Sequence, residues 1–90
     1  VSRDLSLLID KNVDFESIYN SCIKIDKKLI KDVSLFDVYE GNKLPENKKS
    51  YGLSLNISSN EKTLSDKEID NLMLKITKNL NLNFGAELRN

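Results

Sequence analysis

Apolar and polar residues alternate along four stretches of the chain, and this period of two predicts β-strands. The stretches are residues 3–9, 29–40, 50–57 and 84–89. The third is the most regular, because small polar residues separate Tyr51, Leu53, Leu55 and Ile57. The second carries apolar residues on both parities, which either a β-bulge or an apolar patch on each face would explain.

Two other stretches place apolar residues at helical spacing and predict amphipathic helices. The first follows Asp14, a good N-cap residue, and its stripe consists of Phe15, Ile18, Tyr19, Cys22 and Ile25. The second follows a capping box formed by Ser65 and Glu68, and its stripe consists of Ile69, Leu72, Met73, Ile76 and Leu80. We expect this second helix to end at residues 81–83.

The predicted order is therefore β-α-β-β-α-β. Strands with one apolar face and helices with one apolar stripe call for a two-layer sandwich of the α+β class. With right-handed crossovers this is the ferredoxin-like fold, with an antiparallel sheet in the strand order 4-1-3-2. Both helices then cover the same face of the sheet and leave the other face open.

Length and composition indicate one domain, covering residues 1–90. Fourteen basic residues balance fourteen acidic ones, so any contact with nucleic acid must use a local patch. No apolar run approaches the ~20 residues of a membrane helix, and a cytoplasmic location is the default. Because the chain begins with Val1 and enters a strand almost at once, we interpret it as a fragment of a longer protein.

Residues that usually carry catalysis are scarce. The chain has no histidine, one cysteine and no glycine-rich phosphate loop. Its acidic residues are scattered through turns and exposed helix faces. We therefore expect no reaction, cofactor or metal ion in this domain.

The topology suggests one candidate binding site. In the order 4-1-3-2, the start of the first strand should lie beside the end of the fourth, so Arg3 and Arg89 should meet at one corner of the open face. Ser54 and Asn56 should reach the same corner. Guanidinium groups among small polar residues suit contacts with phosphate or base edges. Alternatively, each arginine pairs with a nearby carboxylate.

Other residues are weaker candidates. Phe36 could stack on a nucleotide base, or pack against a neighbouring domain. Lys48 and Lys49, which flank the loop over residues 41–47, could contact a phosphate backbone or be solvated. Lys27, Lys28 and Lys31 are interpreted as a solvated helix end.

Four motifs in order resemble the ferredoxin-fold anticodon-binding domain at the C-terminus of the bacterial phenylalanine–tRNA ligase beta chain. Residues 35–50 read LFDVYEGNKLPENKKS, close to the family's LFDVYxGxxLPxGKKS. Residues 3–7 read RDLSL, residues 63–69 read TLSDKEI, and residues 85–89 read GAELR. Asn47 replaces a usual glycine, and Ser2 and Ser54 stand where the family often has arginine.

The resemblance implies a non-catalytic module that binds the anticodon region of phenylalanine tRNA. Its candidate RNA-binding residues are Arg3, Ser6, Phe36, Lys48, Lys49, Ser54, Asn56 and Arg89. The parent enzyme would use ATP and Mg²⁺ and form an α2β2 assembly with an alpha subunit, whereas the isolated domain would be a monomer without a membrane anchor. The alternatives are a docking domain or a small-molecule regulatory domain of the same fold.

Overall fold

Six elements follow one another in the predicted order β-α-β-β-α-β. The computed structural model describes residues 1–89. The elements are β1 (Ser2–Asp10), α1 (Phe15–Ile25), β2 (Ile30–Tyr39), β3 (Lys48–Ile57), α2 (Asp66–Phe84) and β4 (Glu87–Leu88). The four strands form one antiparallel sheet in the order β2-β3-β1-β4, which confirms the ferredoxin-like prediction.

The core lies between one face of the sheet and the two helices. Every second residue of the central strands contributes to it, namely Leu5, Leu7, Ile9, Leu53, Leu55 and Ile57. The helices add the buried residues of their predicted stripes, namely Ile18, Cys22, Ile69, Leu72, Ile76 and Leu80. Because both helices pack on this face, the opposite face of the sheet stays free of helices.

Both helices begin where the sequence predicts. The Asp14 carboxylate accepts a hydrogen bond of 2.9 Å from the backbone N–H of Ser17. Ser65 and Glu68 form the full capping box, in which each side chain accepts a hydrogen bond from the other residue's backbone N–H. These bonds satisfy N–H groups that the first turn of a helix leaves without intrahelical partners.

The irregular pattern of β2 is explained by bulges. The register between β2 and β3 shifts twice, once between Ile30 and Asp32 and once between Leu35 and Asp37. At the second shift an extra residue, Phe36, interrupts the pairing, so that Asp37 lies opposite Gly52. Of the two explanations left open by the sequence, the bulge is therefore the observed one.

The chain end differs from its prediction. The α2 helix runs to Phe84, beyond the expected end at residues 81–83. Gly85 then adopts a left-handed conformation (φ 65°), and its N–H donates to carbonyls of the last helical turn. Phe84 belongs to the helix and Gly85 to its cap. The last strand, predicted over residues 84–89, is therefore reduced to Glu87 and Leu88.

Candidate nucleic-acid interface

The helix-free face of the sheet carries the side chains that alternate with the core. Four rows of paired residues cross β2, β3 and β1. They are Asp32–Asn56–Ser2, Ser34–Ser54–Asp4, Asp37–Gly52–Ser6 and Tyr39–Ser50–Leu8. The middle of this face therefore consists mainly of small polar groups, which leave room for a flat ligand.

An aromatic ring lies across the centre of that face. A Cβ atom placed on Gly52 would be 2.8 Å from Cζ and 3.0 Å from Cε1 of Phe36, so the ring covers the glycine. Phe36 is nevertheless 58% exposed. The absence of a side chain at Gly52 lets the ring lie against the backbone of β3, with its outer surface in solvent.

Arg89 lies beside the same row. Its backbone N–H donates a hydrogen bond of 2.8 Å to the carbonyl oxygen of Ser6, which continues the pairing of β4 with β1. Ser6 is paired with Gly52, and Phe36 covers Gly52. Three of the predicted residues, Phe36, Ser6 and Arg89, thus form one line across the sheet, with Gly52 between Phe36 and Ser6.

Arg3 does not join this line, so the predicted meeting of the two arginines is wrong. β4 is too short to reach Arg3, because it pairs with Leu7 and Leu8. Arg3 also shares its parity with Leu5 and pairs with the fully buried Leu55, which places it on the helix side of the sheet. There its Nη1 donates a hydrogen bond of 3.1 Å to the Ser2 carbonyl.

Ser54 and Asn56 occupy the helix-free face as predicted. Ser54 shares a hydrogen bond of 3.0 Å with the Ser2 hydroxyl, and Asn56 is exposed. Along β3 they lie two and four residues beyond Gly52. They therefore extend the surface beside Phe36 along the strand, and they lie away from the position of Arg89.

The two lysines of the hairpin are held by other residues. Lys48 Nζ forms an ion pair of 2.7 Å with the Asp10 carboxylate. Lys49 is 8% exposed, and its Nζ lies 4.4 Å from the centre of the Tyr51 ring. Both lysines lie at the start of β3, on the side of Gly52 away from Ser54 and Asn56.

Acidic side chains dominate the charge of the helix-free face. Besides Asp10, which pairs with Lys48, the register places four carboxylates there, those of Asp4, Asp32, Asp37 and Glu87. None of them has a cationic partner within 4.0 Å in the described part of the chain. The face therefore disfavours phosphate groups and offers acceptors for N–H donors.

Sequence reasoning considered nearby carboxylates only as partners of the arginines, and it missed both their collection on this face and the role of Gly52. Asp4 could have been found, because it shares its parity with Ser6. Asp37 could not, since the bulge at Phe36 decides which face it takes, and the alternation alone left the bulge undecided. The seat for the ring depends on the pairing of β2 with β3, which a single sequence does not specify.

The one cysteine of the chain, Cys22, is buried in the core between the sheet and the helices. Burial raises the pKa of the Cys22 thiol to about 11, so this cysteine stays protonated and packs as an apolar group. Within residues 1–89 no three His, Cys, Asp or Glu side chains are grouped in a way that could hold a metal ion.

No helix in residues 1–89 has both the length and the apolar character needed to cross a membrane.

Comparison with known proteins gives a consistent result. A family model described as "Ferredoxin-fold anticodon binding domain" matches residues 1–89. Similar curated proteins include the phenylalanine–tRNA ligase beta subunits of Bacteroides fragilis, 51% identical, and Porphyromonas gingivalis, 49% identical. The beta subunit of Carboxydothermus hydrogenoformans is 42% identical. Each match covers 99% of this chain and 11% of the relative, so the chain spans about a tenth of their length.

Proposed function

Because the chain belongs to the ferredoxin-fold anticodon-binding domain family, we propose that it binds the anticodon stem-loop of phenylalanine tRNA through the helix-free face of its sheet. The observation that carries this proposal is the exposed Phe36 ring lying over Gly52. A planar aromatic surface at the centre of an open sheet is suited to stacking with an unpaired base.

The neighbours of the ring suit the edges of a base. The Arg89 backbone is fixed beside Ser6, so its guanidinium can donate hydrogen bonds to base acceptors such as O6 and N7 of guanine. Asp37, opposite Gly52, can accept hydrogen bonds from exocyclic amino groups. Base stacking gives affinity in this arrangement, and the polar groups around the ring give base preference.

The charge of the face favours contacts with bases over contacts with phosphates. Arg89 is the one arginine placed on this face, and carboxylates lie in its row and in the rows on either side. A phosphate backbone lying across the sheet would be repelled by them. Bases splayed out from the anticodon loop can instead reach the sheet while their phosphates point away.

The remaining candidates take supporting roles in this proposal. Ser6, Ser54 and Asn56 supply hydroxyl and amide groups on the same face. Arg3, at the rim of the sheet on its helix side, would contact phosphate from outside the face. Lys48 and Lys49 would contribute only if RNA displaced their present contacts with Asp10 and Tyr51.

The parent protein is inferred from the relatives. We propose that this chain is one C-terminal domain of a cytoplasmic phenylalanine–tRNA ligase beta subunit, which works with an alpha subunit in an α2β2 assembly. The parent would use ATP and Mg²⁺, while this domain would neither catalyse a step nor hold a cofactor. Its contribution would be binding energy far from the reacting atoms, which helps to position the tRNA.

A docking role is the second candidate, favoured by one observation. Two large, exposed apolar residues lie along the edge strand β2, Phe36 on the helix-free face and Val38, opposite buried Tyr51, on the helix side. A neighbouring domain of the parent protein could cover them. In that case RNA would not perturb the sheet, so the same experiment distinguishes the two functions.

The test is a titration of the ¹⁵N-labelled chain with an anticodon stem-loop of phenylalanine tRNA, followed by amide NMR shifts. We expect saturable shifts at Ser6, Asp37, Gly52 and Arg89. The matched control is a stem-loop with the same stem and with abasic sites in the anticodon, which should bind more weakly and leave those amides unshifted. Equal shifts with both RNAs, or shifts confined to the helices, would contradict base recognition by this face.

A further inference from the structure

A second surface differs from the helix-free face in its charge. Where the α1–β2 turn meets the β3–α2 loop, a cleft of about 560 Å³ opens to solvent. Four lysines line it, namely Lys27, Lys28, Lys31 and Lys62. Three carboxylates line it as well, those of Asp26, Glu61 and Glu68, so positive charge exceeds negative charge there.

The carboxylates of the cleft leave most of these lysines unpaired. Glu68 pairs with Lys62 at 2.8 Å and accepts from Ser65 as part of the helix cap. Asp26 accepts hydrogen bonds from the backbone N–H groups of Lys28 and Leu29, which fixes the turn. Lys27, Lys28 and Lys31 are exposed and have no ion-pair partner within the described part of the chain.

The cleft is continuous with the proposed base-binding surface. Asp32 pairs with Asn56 on the helix-free face, and Lys31 precedes it at the first bulge of β2. From Gly52 to Asn56 the distance along β3 is four residues, or about 13 Å at ~3.3 Å per residue. An RNA strand with a base on Phe36 can therefore reach the lysines beyond the end of β3, with its intervening phosphates held away from Asp4 and Asp32.

Charge indicates which part of the RNA belongs in the cleft. Lysine is a compact cation suited to phosphate oxygens as a point charge, and it carries no base preference. The helix-free face has the opposite character, with an aromatic ring and carboxylates. One RNA strand can use both surfaces if the nucleotides beyond the stacked base place their phosphates against the lysines.

We infer that Lys27, Lys28 and Lys31 bind the phosphodiester backbone of the RNA whose bases contact Phe36. This inference rests on the proposed function and adds a separate site to it. The lysines supply affinity that is independent of RNA sequence and sensitive to salt, while the sheet supplies base preference. Solvation alone, the simplest interpretation of these lysines, predicts no such effect.

The test compares two triple variants of equal charge. In one, Lys27→Gln, Lys28→Gln and Lys31→Gln are combined; in the control, Lys67→Gln, Lys75→Gln and Lys78→Gln are combined on α2, where all three lysines are exposed. Binding of the anticodon stem-loop is measured from ~50 to ~300 mM salt by fluorescence anisotropy. The slope of log K against log salt concentration is negative for RNA binding. We expect the first variant to make it less steep by about 2, at roughly 0.7 per lost phosphate contact, and the control to change it little.

The outcomes separate this inference from the proposed function. In the first outcome, the wild-type chain binds RNA with amide shifts near Phe36, but the salt dependence of binding is no weaker in the first variant than in the control. The lysine site is then wrong and the proposed function stands. If only the first variant shows a weaker salt dependence of binding, and the amides near Phe36 never shift on RNA addition, the lysine site stands and recognition by the sheet is wrong. If no RNA binds at ~50 mM salt, both are wrong.

Discussion

The two faces of the sheet are built from the same strands but have opposite roles. In β3, Leu53 is fully buried against the helices, while its neighbour Ser54 lies on the helix-free face. The same contrast separates Leu5 and Leu7 from Ser6 in β1. One face holds the domain together, and the other exposes a ring, small polar groups and carboxylates, where we propose that RNA binds.

Residues that stabilise the domain and residues that can bind a ligand therefore alternate within one strand. Burial of apolar side chains supplies most of the stabilising free energy, and residues that remain exposed contribute little to it. Side chains on the helix-free face can therefore vary with the ligand at little cost in stability. Substitutions on the two faces should affect different measurements.

The largest effect should come from Leu53→Ala. Truncation of a fully buried leucine removes apolar burial and leaves a cavity, which costs about 3 kcal/mol of unfolding free energy. Urea denaturation followed by circular dichroism measures the loss. The matched control is Ser54→Ala on the other face, with an expected change within about 0.5 kcal/mol. Equal losses of unfolding free energy in the two variants would mean that both faces contribute to stability.

Phe36→Ala should give the reverse result. Loss of one base–aromatic stacking contact should weaken binding of the anticodon stem-loop by about 2 kcal/mol, or roughly 30-fold. The unfolding free energy should change little, because the ring is 58% exposed. Calorimetric titration with the RNA checks the first expectation and urea denaturation the second. The exposed Leu82, on α2, offers a control of similar size, since Leu82→Ala should change neither quantity.

Wild-type RNA affinity in Phe36→Ala would contradict the stacking role. Such a result, combined with a loss of stability, would favour a ring that packs against the sheet for structural reasons. Phe36→Tyr is then informative, because a tyrosine ring stacks as well and should restore affinity.

Gly52→Ala should affect binding more than stability. The new methyl group would lie 2.8 Å from the Phe36 Cζ, so the ring must move away from β3. We expect RNA affinity to fall by about 1 kcal/mol, which is part of the ~1–3 kcal/mol that a stacked base contributes. The unfolding free energy should change by less than about 1 kcal/mol, because alanine gains in strand preference what the tight contact with Asp37 costs. A large loss of unfolding free energy with unchanged RNA affinity would show that this glycine is needed for stability and not for binding.

The fold was predictable because local signals agreed with one another. Caps at Asp14 and Ser65 marked both helix starts, and the alternation of Leu53, Leu55 and Ile57 marked a half-buried strand. The chain end was less predictable. Phe84 has apolar character in either a strand or a helix, and the helix was longer than its stripe suggested.

The candidate site was predictable only in part, because it depends on register. Alternation assigned Ser54 and Asn56 to the helix-free face, and topology brought Arg89 to β1. The parity of Arg3 with Leu5 could have excluded it from this face, whereas the length of β4, which also decided against a pair of arginines, does not follow from strand order. Register is set by long-range pairing and by bulges, which a pattern of apolar residues does not determine.

The smallest effect concerns acid, and it should belong to the helix layer. Hydrogen bonds with Lys62 and then with Ser65 lower the pKa of Glu68, and those with Ser17 lower the pKa of Asp14. A carboxyl group whose pKa is lower in the folded than in the unfolded chain stabilises the folded state at pH values above its ordinary pKa, which is 4.5 for Glu68 and 3.8 for Asp14. This stabilisation is lost as the pH falls through the pKa of the folded state. Urea unfolding at several pH values should therefore show stability declining below about pH 4.5. Glu68→Gln, which can keep the capping bond without a charge, should flatten that decline, whereas Phe36→Ala should leave it as in the wild type. An unchanged decline in Glu68→Gln would show that the acid sensitivity comes from carboxylates outside the cap of α2.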